Sequence, residues 1–91
     1  MTEAEKALRI KVFRNGDERY TGKYFVLNRR RIRTWDSFLQ AVTLDVKSTE
    51  AVRSIRTPHH GSRIESLEQL ALKGQNQEYV AVGNGRFKKL G

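Results

Sequence analysis

The chain contains no cysteine. That excludes a disulfide framework, a thiolate metal site and a cysteine nucleophile, and it fits a reducing compartment. No apolar run approaches the roughly 20 residues of a membrane span. The start, Met1-Thr2-Glu3-Ala4-Glu5, is acidic and lacks a signal-peptide core. The expectation is a cytosolic protein, or a piece of a longer one, without a membrane partner. Acidic side chains are scarce, ten against 18 Lys and Arg, which leaves a net charge of +8. Both histidines, His59 and His60, sit in one turn with no third ligand near in sequence, so no metal site is expected. There is no phosphate-cradling glycine loop with a following lysine, no zinc helix and no nucleophile elbow. Neither an enzyme nor a cofactor is expected.

What remains is a short, highly charged chain. Ninety-one residues make one domain, read as residues 7–91 after a disordered stretch at 1–6. A charge of +8 on so small a domain points to polyanionic partners: nucleic acid, anionic lipid or an acidic protein surface.

Leu8, Ile10 and Val12 alternate with Arg9, Lys11 and Phe13, so 8–13 reads as a half-buried strand. Arg14-Asn15-Gly16-Asp17 follows. Asn-Gly is a strong hairpin signal, because a type I′ turn needs positive φ at both central residues. Asn15, Gly16 and Asp17 are therefore read as structural turn residues. Gly22 permits a bulge or twist, and Tyr24 to Leu27 is the second strand. Thr34 is an N-cap and Asp36 suits the first turn of a helix over 35–45. Its apolar stripe runs through Trp35, Phe38, Leu39, Val42 and Val46. Aromatics at that spacing are core rather than a ligand platform.

Val52 to Thr57 reads as a third strand ended by Pro58, and Arg63-Ile64 as a very short fourth. Ile64, Leu67 and Leu70 recur every third residue, which suits a short helical turn with Ser66 near its start. Lys73 to Gln77 is a loop, and Tyr79 to Val82 is the last strand. The order is α+β: a ubiquitin-like β-grasp roll, with a mixed sheet of four to five strands, one main helix and one short helix. In that topology the last strand runs parallel to the first. Its end shares a pole with the 15–18 turn.

With these elements in place the sequence resembles the doublecortin family. The resemblance rests on Val12-Phe13-Arg14-Asn15-Gly16-Asp17, Gly22 and Arg33-Thr34-Trp35-Asp36-Ser37-Phe38-Leu39. It continues through Val52 to Thr57, Gly61-Ser62-Arg63-Ile64, Leu67 to Leu70, Tyr79 to Gly83 and Phe87-Lys88-Lys89-Leu90. It is most similar to the branch associated with cilia. The resemblance implies a ubiquitin-like domain that binds tubulin and stabilises or bundles microtubules. The setting is the cytoplasmic microtubule cytoskeleton, the ciliary axoneme included. In some members it implies other cytoskeletal or signalling partners. Family proteins often carry two such domains in tandem. Two departures are visible: His59-His60 replaces a more acidic turn, and the 45–51 loop is short.

Two basic patches are candidates for the tubulin contact. Arg29, Arg30, Arg31 and Arg33 form a run with only Asp36 nearby to neutralise it. A guanidinium offers a rigid fork of donors that suits carboxylates and phosphates. Arg86, Lys88 and Lys89 around Phe87 form the second patch, joined at the hairpin–tail pole by Arg14, Arg19 and Lys23. Phe87 itself reads as packing the tail back on the sheet. The alternative is a ubiquitin-like adaptor that meets a signalling or scaffold protein through an exposed sheet face. Nucleic acid ranks third, because aromatics are not interleaved with the basic residues.

Overall fold

The computed structural model describes residues 7–90. The disorder expected of residues 1–6 lies outside that range. Five strands and two helices follow in chain order. They are β1 (Leu8–Arg14), β2 (Lys23–Leu27), α1 (Trp35–Asp45), β3 (Ser54–Arg56), β4 (Arg63–Ile64), α2 (Leu67–Lys73) and β5 (Gln77–Val82). They form one sheet in the order β2-β1-β5-β3-β4, with β1 and β5 parallel and the other pairs antiparallel. This is the expected mixed β-grasp arrangement.

Alternation decides which face is core. Ile10, Val12, Phe25, Leu27, Ile55, Tyr79 and Ala81 share the face that α1 covers with Phe38 and Val42. Phe38 is fully buried, a burial that contributes roughly 2–3 kcal/mol. It packs edge-on to Phe25 at 5.6 Å and lies 5.1 Å from Trp35.

Thr34 caps α1 as expected, its Oγ1 accepting from the Ser37 N–H at 3.1 Å. The last turn of α1 holds no basic residue. Arg14 supplies that charge from β1, donating to the carbonyls of Val46 at 3.1 Å and Lys47 at 3.4 Å. The cation thus meets the negative end of the helix dipole from a distant strand.

Four expectations need correction. The hairpin turn is not type I′. The Asp17 N–H donates to the Arg14 carbonyl at 3.2 Å, and of the two central residues only Gly16 has positive φ, +77°. Strand pairing resumes only at Lys23, so the connection is eight residues, 15–22, not two. The reason is that Asn15 is held by the distant tail described below. The third strand is shorter than 52–57, because the Val52 N–H donates to Thr43 Oγ1 at 3.0 Å, off the sheet. The short helix is a true α-helix from Leu67. Ile64 lies in β4, the very short fourth strand expected at Arg63-Ile64, and pairs with Ile55, so the helix itself begins only after Ser66. The last strand starts at Gln77, two residues earlier than expected, since the parallel ladder with β1 begins at Ile10↔Gln77.

The second face of the sheet is half covered. Val80 and Val82 are buried there, in register with Phe13, Arg56 and Ser54. Residues 84–90 fold back across this end. They are held beside β1 by Asn15 and beside β3 by Pro58, whose carbonyl accepts from the Leu90 N–H at 3.0 Å. Those two anchors straddle β5. Phe87 packs on Gly61, where an added Cβ would come within 2.8 Å of the ring at φ +72°. Only glycine fits at that contact.

Candidate interaction surfaces

The strand registers set two poles. β2 ends at Leu27, opposite the start of β1 at Leu8, so the arginine run leaves from that end. β5 runs parallel to β1 and ends beside Arg14, so the tail leaves from the other.

At the first pole the chain turns tightly after β2. The N–H groups of Arg31 and Ile32 both donate to the Asn28 carbonyl, and Asn28 Oδ1 accepts from the Arg30 N–H at 2.9 Å. This Asx turn throws the side chains of Arg29, Arg30, Arg31 and Arg33 outward, and all four residues are exposed. Arg33 Nε donates to the Arg30 carbonyl at 3.2 Å. Arg29 meets Glu68 of α2 at 3.1 Å. That partner lies 39 residues away and has no signature near the run. Arg31 and Arg33 form no ion pair among the described residues.

At the second pole the basic residues divide by task. Arg14 is partly buried, ion-paired to Asp17 at 2.7 Å, stacked over Tyr20 at 4.1 Å and bonded to the end of α1. Asp17 also accepts from the Arg19 N–H at 3.2 Å. Asn15 donates to the Arg86 carbonyl and accepts from the Lys88 N–H, each at 2.7 Å. That clip pins the tail, and it leaves Arg86, Lys88 and Lys89 exposed; Arg19 is exposed too, while Glu18 shares a cleft with Lys88 and Lys89. Lys23 is 3.3 Å from Asp45.

A third basic surface was legible only in the strand alternation and carried no motif. Arg9 lies 3.7 Å over the Tyr24 ring and Lys11 5.4 Å from it, on the uncovered part of the second face. Arg63 and Arg56 are opposite one another on the same face. Glu78, in register with Lys11, is the acid that this face carries. Among the described residues no group of three or more His, Cys, Asp or Glu could hold a metal ion. No helix among them is long and apolar enough to cross a membrane. His59 and His60 are exposed in the β3–β4 turn.

Sheet order and helix placement define a ubiquitin-like domain, and its exterior is basic. The chain belongs to the doublecortin family, whose model matches residues 26–87. It is similar to human doublecortin domain-containing protein 2C, with 44% identity over 81 residues, 89% of this chain and 21% of that protein. It is similar also to human doublecortin domain-containing protein 2, with 40% identity over 82 residues, 89% of this chain and 17% of that protein. The chain therefore spans about a fifth of the length of these relatives. Among solved structures, cell death-inducing DFFA-like effector c superposes with a TM-score of 0.72. That match covers 92% of this chain and 99% of the other at 15% identity, a likeness of fold alone.

Proposed function

We propose that this domain docks on the microtubule lattice through its basic poles and so stabilises or bundles microtubules, in the cytoplasm or on an axoneme. One observation carries the reading beyond family membership. The Asn28 turn displays four exposed arginines on a sheet-and-helix platform, and Glu68 of α2 pairs with Arg29. Tubulin's outer surface is acidic, and forked guanidinium donors suit its carboxylates. Charge complementarity of this kind steers encounter and fixes orientation. The Arg86, Lys88 and Lys89 pole offers a second contact, and two contacts on different subunits would bridge a lattice.

The test is co-sedimentation with assembled microtubules across a salt titration, with excess RNA as competitor. Exposed charges are screened over about 10 Å at 0.1 M salt. Pelleting that falls with salt and survives RNA is the expected result. Pelleting abolished by RNA means general polyanion affinity. No pelleting at low salt overturns the reading for this domain alone.

A further inference from the structure

β2 is an edge strand, and no hydrogen bond among the described residues reaches its outer side. Edge strands are usually blunted by proline, a bulge or inward charge, because a free row of N–H and C=O groups templates pairing. β2 has no proline, its five residues pair with β1 in unbroken register, and its one charge, Lys23, stands at the first position and is paired to Asp45. Its sequence, Lys-Tyr-Phe-Val-Leu, is β-prone. Val26 is 58% exposed and Tyr24 48%. Between this edge and α1 runs a groove of about 680 Å³, lined by Phe25, Val26, Ile32, Ala41 and Leu44, with Leu44 80% exposed.

The rim decides the occupant. Arg31 lines the groove and has no ion pair among the described residues. It stands in the Asn28 turn just past the end of β2, while Lys23 opens the strand. The one acid in the groove, Asp45, is taken up by Lys23. The arginine end of the edge is thus basic, while at the other end Lys23 and Asp45 neutralise each other. A second copy paired at this edge would bring two chains of charge +8 side by side. That repulsion argues against self-pairing.

We propose that the β2 edge and the groove beneath it form a docking site for an extended, aliphatic peptide segment flanked by acidic residues, carried by a partner protein. Its backbone adds a sixth strand beside β2. Alternate side chains enter the groove against Ile32 and Leu44. Carboxylates flanking the segment on one side meet Arg31 at the arginine end. Backbone pairing supplies affinity and the groove and rim supply specificity. The site stands whether or not the domain binds microtubules, because its test contains no tubulin.

The experiment is an NMR titration of the ¹⁵N-labelled chain with a blocked peptide, Ile-Val-Ile-Val flanked by three Asp on each side. The same core flanked by Lys is the control, and sedimentation of the chain alone accompanies it. Expected are saturable shifts at the amides of residues 23–27, slowed exchange of the outward ones, and no binding of the Lys-flanked control. Val26→Asp and Arg31→Glu, both at exposed positions, each weaken binding by about tenfold or more while the rest of the spectrum is unchanged. Unmoved β2 amides at roughly millimolar peptide overturn the proposal. So do equal binding of the Lys-flanked control, or shifts confined to the 84–90 tail. Concentration-dependent dimerisation that protects the same amides without peptide would also sink it, since a second copy would then own the edge.

Discussion

The two basic poles are built in opposite ways. At the arginine pole the charge is contiguous in sequence, local turn chemistry displays it, and Arg29 makes an exposed contact with Glu68. At the tail pole the basic residues come from positions about 70 apart and are held together by Asn15. There the most prominent arginine, Arg14, is spent inside the structure on Asp17, Tyr20 and the carbonyls that end α1. A count of cations treats the poles as equals. The structure shows that charge present in a sequence and charge available to a partner differ, because a helix end or a turn carboxylate can claim a guanidinium first.

That contrast can be broken by substitution. The largest effect is expected from replacing Arg29, Arg30 and Arg31 together with alanine. Microtubule affinity in co-sedimentation should fall roughly 30-fold or more, about 2 kcal/mol, with thermal stability nearly unchanged. Unchanged affinity would move the docking surface to the other pole. Arg14→Ala should do the reverse. Loss of its bonds to the α1 carbonyls and to Asp17 should cost about 2 kcal/mol in denaturant unfolding, while the folded fraction still pellets with microtubules. A variant that loses binding at full stability would show that Arg14 faces the lattice after all.

Asn15→Ala should cost about 1–2 kcal/mol, because it removes both hydrogen bonds of the clip. Hydrogen exchange should rise at Lys88 and Leu90 before it rises in the core. If exchange there is unaltered, something other than Asn15 holds the tail.

Tyr79, on β5 between the poles, gives a reference that neither surface should influence. Its hydroxyl is buried without a protein partner, and burial pushes its pKa above the ordinary value of 10.0. The unfolded chain ionises first, so stability is fully present below pH 10 and declines as pH rises through the folded-state value. Tyr79→Phe should abolish that alkaline decline and, by removing an unsatisfied hydroxyl, add about 1 kcal/mol at neutral pH. Equal alkaline loss in the variant would assign the decline to another group. The smallest effect belongs to Glu68→Ala. The Arg29–Glu68 pair is exposed, so stability should move by no more than about 0.5 kcal/mol. Microtubule affinity should rise slightly as Arg29 is released.

Much of the fold was legible because it is written in local periodicity. Alternation at Leu8, Ile10 and Val12, the stripe from Trp35 to Val42, and the caps Thr34 and Ser66 need only neighbours within a few residues. The failures share one cause. The Asn-Gly pair looked like a two-residue hairpin, yet Asn15 answers to a tail 71 and 73 residues away. Val52 leaves the sheet for the hydroxyl of Thr43, 9 residues back on α1. Each time a long-range partner outbid a local preference.

The sequence by itself determined the strands, the helices, the family and the large positive charge, because propensity, amphipathic period and net charge are properties of short windows. Only the tertiary structure decided which cations face solvent. It set Glu68 against Arg29, turned Arg14 inward to cap α1, folded the tail back onto Asn15, Pro58 and Gly61, and left β2 as an open edge above an apolar groove. Those outcomes depend on which distant groups share a few ångströms. That proximity comes from the order in which strands join the sheet, and no short window of sequence contains it.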